Sequence, residues 1–155
     1  MRLHTLLFST AAIIFIWGIM PLLWIIASIL LGLPQLDNPL LKLEGLLLVI
    51  IGAILELHCM LLFKHAGKGT VAVTEPPTKF VIKGAYRLTR NPLYIAHFIT
   101  LMGQFLILGY LLMPLWPITF LLILQAYIVR REEPVLIGRF GEIYEHYLKQ
   151  VPRWL

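Results

Sequence analysis

A chain of 155 residues that is 59% hydrophobic and 14% charged, with a mean hydropathy of +0.85, is too apolar for a water-soluble domain, which usually holds about 45–50% apolar and about 25% charged residues. The length suits one domain, residues 1–155, so any chemistry shares that domain with its membrane-spanning part. The net charge of +5 does not point to nucleic acid, because the basic residues gather between apolar runs, where they set membrane orientation.

The first apolar run extends from about Leu6 to Leu33. It exceeds the about 7–15 residues of a signal-peptide core, and no small-residue cleavage site follows it, so it reads as a retained span kinked at Pro21. A short loop, Pro34 to Pro39, leads to a second run from about Leu40 to Phe63, in which the lone Cys59 reads as a buried thiol. The Ala66–Asn91 segment that follows is rich in Gly, Pro and Thr and too long to be a mere connector. A third run covers Leu93 to about Leu112, and a shorter fourth covers Leu115 to about Val129, bracketed by Pro114 and Pro117. With only Met113 and Pro114 between them, the third and fourth runs are expected to pair as a tight hairpin. From Glu132 onward, apolar residues from Leu136 to Val151 recur at helical spacing. That pattern predicts an amphipathic tail helix, or two short ones given Gly138 and Gly141.

The predicted fold is therefore all-α: a polytopic bundle of four transmembrane helices with a cytoplasmic cap made from the long loop and the C-terminal amphipathic helix. Orientation follows from charge. Lys64, Lys68, Lys79, Lys83, Arg87 and Arg90 face only Glu75 in the long loop; Arg130, Arg131, Arg139, Lys149 and Arg153 mark the tail, and Arg2 the start. The first loop has only Lys42, beside Asp37 and Glu44. Both termini and the long loop are thus expected on the cytoplasmic side of a membrane, of the bacterial inner-membrane kind.

Two short segments can carry chemistry. In Arg90-Asn91-Pro92-Leu93-Tyr94, Asn91 is a good N-cap and Pro92 suits the first helical position. A helix starting there leaves the amides of Leu93 and Tyr94 free for an anion, although an ordinary capped start with an interfacial tyrosine has the same pattern. The second segment is Glu132-Glu133. Adjacent carboxylates cannot face each other on a helix, so one can hold a cation while the other faces water; a solvated charge cluster is the plainer alternative. A tight hairpin brings both segments to one membrane face, and together they match a zwitterionic amino-acid moiety.

The stretches Gly67-Lys-Gly-Thr70, Glu75-Pro-Pro77, Gly84-Ala-Tyr86, Arg90-Asn-Pro-Leu-Tyr94, Gly103, Glu132-Glu133, Phe140-Gly-Glu-Ile-Tyr144 and Val151-Pro-Arg-Trp154 occur in this order. As a set, from about Lys64 to Leu155, they resemble the isoprenylcysteine carboxyl methyltransferase family and, more distantly, the phospholipid methyltransferases. The resemblance implies S-adenosylmethionine as cofactor, contacted by Tyr86, Asn91, Pro92, Leu93, Tyr94 and Glu132, with a strand-like stretch Thr78, Lys79, Phe80 and Val81 lining the pocket. Eukaryotic members have His at the place of Asn91, and relatives tend to have Gly at the place of Ala96. The eukaryotic substrate-binding arginine has no exact counterpart; Arg130 and Arg131 are the nearest substrate-orienting candidates.

Glu56 and His58 lie inside the second run, two residues apart and so on different faces. Glu56 is expected to knit the bundle by pairing rather than to line an active cavity. His97 and Gln104 share a face of the third run, where interhelical hydrogen bonds are expected rather than catalysis. The histidines show no metal-ligand spacing, and Gly67–Thr70 lacks the upstream glycine of a phosphate loop.

The expected reaction is carboxyl O-methylation, of isoprenylcysteine type, on a lipophilic acceptor reaching the site from the bilayer lipids. A carboxylate is already ionised, and no general base is evident; a lipid amine, the N-methylation alternative, would press His65 or Glu133 into service. A non-enzymatic cation exporter using Glu56 has no use for the long loop and the aromatic tail.

Overall fold

The computed structural model describes residues 3–69 and 77–155. Arg2, Thr70, Glu75 and Pro76, which enter the orientation and resemblance arguments, lie outside the described residues. All regular elements among the described residues are helical: α1 (Leu3–Ile14), α2 (Met20–Leu30), α3 (Pro39–His65), α4 (Pro92–Leu108), α5 (Leu115–Tyr127), α6 (Glu133–Phe140) and α7 (Glu142–Gln150). Two stretches, Leu6–Leu30 and Pro39–His65, are long and apolar enough to cross a membrane, and α4 is a shorter apolar helix.

The first apolar run is one helical rod with a π turn, Phe15–Ile19, between α1 and α2. Pro21 explains the defect. Met20 N–H reaches back to the Phe15 carbonyl, and Pro21 has no N–H to offer the Trp17 carbonyl. Other helices take up the freed carbonyls: Trp116 Nε1 donates to Ile16 O at 2.9 Å, and Gln104 Nε2 approaches Trp17 O at 3.5 Å. In lipid such carbonyls have no water to turn to.

The expected tight pairing of the third and fourth runs is not what forms. α4 packs most closely, antiparallel, on α3, and contacts α5 far less. The reason is side-chain size. Gly45, Gly52 and Gly103 lie at the α3–α4 seam, and a Cβ on Gly103 would sit 2.7 Å from the Gly45 carbonyl. Bulky Trp116, Phe120 and Leu124 face Leu101 instead and hold α5 away. α4 also ends earlier than hydropathy suggests, at Leu108, because Gly109 takes φ 72 and stops the helix. Small seam residues replace the missing hydrophobic drive between helices in lipid. Gly103→Ala is therefore expected to destabilise the fold by about 1–3 kcal/mol through overpacking against rigid backbone, read as a lowered unfolding midpoint in detergent.

The long loop and the tail pack on each other. Tyr144, Tyr147 and Val151 form a buried cluster with Phe80, Leu136 and Phe140, and Tyr147 Oη donates to Tyr86 O at 2.6 Å. The tail is two helices broken at Gly141, with φ 53, while Gly138 stays inside α6. Thr78–Val81 is irregular rather than strand-like. Among the described residues no strand lies beside it; instead the Thr78 and Lys79 amides both donate to Gly67 O, at 2.9 and 3.0 Å.

Candidate functional site

The two glutamates after α5 part company through backbone geometry. Ile128–Glu132 form a second π turn, in which Glu133 N–H donates to Ile128 O, and Pro134 follows it as Pro21 follows the first. Glu132 turns inward, where its Oε2 accepts from Tyr94 Oη at 3.0 Å. Burial holds the Glu132 carboxyl above the usual carboxylate range, the Tyr94 bond opposes this, and the Glu133 charge adds to it.

Glu133 has a different task from the expected solvent-facing one. Its Oε1 accepts from Arg90 Nη1 at 2.7 Å and from Arg153 Nε at 3.0 Å, and its Oε2 accepts from Arg153 Nη2 at 3.0 Å. The Glu133 and Arg90 side chains are each only 12% exposed. This ion triad ties the end of the chain to the start of α4. Burial, with the Glu133 charge, pushes the neighbouring Tyr144 hydroxyl up to about 12.

At the start of α4, Pro92 occupies the first turn as expected, but Asn91 does not cap the helix with its side chain. Its Nδ2 donates to Arg153 O at 3.0 Å, an oxygen that Thr89 Oγ1 also binds at 3.0 Å. The C-terminal strap claims the side chain that would otherwise cap. The helical ladder begins with Ile95 N–H on Asn91 O, so the amides of Leu93 and Tyr94 precede it. The open helix start expected at Leu93 and Tyr94 is therefore present, without the Asn91 side-chain cap.

These groups surround a cavity of about 320 Å³, at the lower end of the roughly 300–1,000 Å³ of ligand pockets. Of the residues singled out in the sequence, Lys79, Phe80, Val81, Tyr86, Asn91, Leu93, Tyr94 and Glu132 line it. Thr78 is exposed and turned to Gly67 O, and Pro92 is buried behind the lining. Arg131 lines the cavity; Arg130 is exposed outside it. Arg90, Tyr127, Phe140, Tyr144 and Tyr147 also line it and were not singled out for the site. The helical spacing of the tail aromatics was visible, but spacing cannot say which wall they build. A larger hollow of about 530 Å³ beside the first π turn is apolar except for Gln104 and gathers no chemistry.

One polar cluster lies deeper. Glu56 Oε1 on α3 and His97 Nδ1 on α4 are 2.8 Å apart, and Thr100 Oγ1 donates to the same oxygen at 3.4 Å. The bundle-knitting pair expected for Glu56 thus forms, and its partner is His97.

Comparison with known proteins agrees with this architecture. The sequence model of the phospholipid methyltransferase family matches residues 41–143, more than half of the chain. A solved structure of a eukaryotic intramembrane Ras methyltransferase, isoprenylcysteine carboxyl methyltransferase, is similar with a TM-score of 0.58 and 27% identity. That similarity covers 72% of this chain and only 40% of the other. No curated protein matches.

Proposed function

The chain belongs to the phospholipid methyltransferase family, and from that premise we propose that it transfers a methyl group from S-adenosylmethionine to a lipophilic acceptor at a membrane. Its two long apolar helices and its likeness to an intramembrane methyltransferase make it an integral membrane protein. The observation that carries the reading is one carboxylate, Glu132, beside the unpaired helix start of Leu93 and Tyr94 in one cavity.

The residues present fit the cofactor. Tyr94 occupies one oxygen of Glu132, which leaves the other for an ammonium group. The α4 amides, with Arg131 on the same wall, suit a carboxylate. Phe80, Tyr86 and Phe140 offer faces for an adenine ring and a sulfonium. Arg90 adds a buried Nε that has no partner among the described residues, in the same wall. Bound there, S-adenosylmethionine supplies a methyl group made electrophilic by its sulfonium. The chain's own share is to align the acceptor with that methyl and to exclude water, which the aromatic cap over the cavity serves. Isothermal calorimetry in nanodiscs is expected to show binding at micromolar affinity or tighter. No binding up to millimolar ligand by folded protein sinks the reading.

In this reading four helices span: the α1–α2 rod, α3, α4 with the turn after it, and α5. The loop and tail form a cytoplasmic cap. Reporter fusions after residues 36 and 155 are expected to report opposite sides, the second cytoplasmic; the same side for both refutes four spans.

Two acceptor classes compete. Carboxyl O-methylation of isoprenylcysteine type is supported by the solved relative and by Lys79, Arg131 and Arg139 around the cavity, where an anionic acceptor gains. Lipid amine N-methylation is supported by the family match. For an amine, the bases expected from the sequence fare poorly: Glu133 is held by two arginines, and His65 is exposed at the end of α3.

A further inference from the structure

The Glu56–His97 pair sits below the candidate cavity, one turn beyond Tyr94 on α4 and two turns before Phe63 on α3, both of which line it. His97 follows the cavity residue Tyr94 by three positions, and Glu56 precedes the cavity residue Phe63 by seven, with Cys59, buried against the cavity residues Val81 and Tyr86, between them. Three residues of α-helix rise about 4.5 Å. Resting on the methyltransferase reading, we propose that this pair is the proton-accepting site of the reaction. His97 Nε2 is the general base, and Glu56 the residue that positions it. The methyl acceptor is then one that arrives with a proton on its nucleophilic atom, an amine, hydroxyl or thiol, and not a carboxylate.

The geometry of the imidazole is what points there. A carboxylate 2.8 Å from Nδ1 takes its proton as a hydrogen bond and leaves the lone pair on Nε2. Among the described residues Nε2 has no hydrogen-bond partner, and the imidazole side chain keeps 20% exposure. The groups facing it are Glu56 and, around that carboxylate, Thr100 on α4 and Cys59 on α3. From the other elements, Trp17 stands edge-on at 5.6 Å and Phe120 lies at 6.5 Å, both apolar walls. Holding α3 to α4 does not require an ionisable pair, since the glycine seam already does that. Ionisable groups at bilayer depth are costly and are retained where they act.

The step balances. The acceptor's proton passes to Nε2, the freed lone pair forms the bond to the methyl carbon, and the electrons of the broken C–S bond remain on sulfur as a neutral thioether. The proton then leaves His97 for water, one for each methyl transferred.

His97→Asn separates base from scaffold, because its amide keeps a donor near the Nδ1 position and has nothing at Nε2. In native membranes given S-adenosylmethionine with a labelled methyl group, transfer to lipid is expected to fall by about 10²-fold or more, the usual worth of a general base. Cofactor affinity by calorimetry and the unfolding midpoint stay unchanged. The acid limb of the wild-type pH–rate profile is expected to vanish in the variant. The wild-type label should resist mild alkali; release as methanol marks a carboxyl ester and overturns the proposal. Equal transfer by wild type and variant overturns the base alone, whereas no transfer by wild type overturns the methyltransferase reading with it. Nitrogen NMR of the cofactor-free wild-type protein reads the tautomer without any turnover. Nδ1–H with bare Nε2, lost in Glu56→Gln, is expected, and Nε2–H refutes the dyad.

Discussion

Glu132→Gln is expected to weaken S-adenosylmethionine binding by about one to two orders of magnitude, the worth of a charge-assisted hydrogen bond at roughly 1.5–3 kcal/mol. The substitution keeps the size of the side chain and an oxygen for Tyr94 Oη, and removes only the charge that would face the ammonium. Stability should move the other way. The Glu132 carboxyl is raised chiefly by burial, so its contribution to folding is full below the unfolded pKa. It is lost as pH rises through the folded one. At neutral pH the ionised carboxylate is therefore a cost to the cofactor-free protein, and Glu132→Gln should unfold at the same or a higher temperature. The same shift gives a pH dependence. An ammonium favours the ionised carboxylate, so affinity should fall on acidification, starting closer to neutrality than for an ordinary glutamate, and the variant should lack that limb. Calorimetry across pH checks both. An unchanged affinity in Glu132→Gln places the ammonium elsewhere, and Glu56 is then the next carboxylate to test.

Glu133→Gln is expected to act on the fold. The sequence alone suggests a carboxylate near water whose loss barely matters, and an innocuous control for Glu132. The structure instead gives it three charge-assisted bonds with Arg90 and Arg153. Neutralising Glu133 strands Arg90, 12% exposed, without a counter-charge. Breaking a buried pair from one side typically costs about 3–5 kcal/mol, and the partial exposure of Arg153, at 28%, favours the lower end. The unfolding midpoint should fall by several degrees. The strap that brings Arg153 O to Asn91 and Thr89 should become open to protease before the rest unfolds. Cofactor affinity, measured well below that midpoint, should fall less than in Glu132→Gln. The reverse pattern, a stable Glu133→Gln with lost affinity, would exchange the roles of the two carboxylates.

Much of this protein is written locally. Hydropathy alone marks the two long helices, because apolar runs of 25 and 27 residues have few other fates. Pro92 and Gly141 mark where α4 starts and where the tail breaks, through a missing N–H and a positive φ that only their own chemistry explains. The grouping of Tyr86, Asn91, Leu93, Tyr94 and Glu132 around one cavity was also legible, as an ordered motif. What was not legible depends on which side chain a polar atom meets across the fold. Asn91 reads as a cap until Arg153 O, 62 residues away, takes its amide. The hairpin of the third and fourth runs gives way to the α3–α4 seam because glycines on two separate helices happen to oppose each other. Glu132 and Glu133 are equal in sequence, and a π turn with Tyr94 on one side and two arginines on the other makes them unequal. Helix periodicity and chain termination are decided within a few residues and so can be read from sequence. Hydrogen-bond partners for buried polar atoms are decided by packing between residues 20 to 64 positions apart at this site and at the Glu56–His97 pair beneath it, and only the tertiary structure chooses among them.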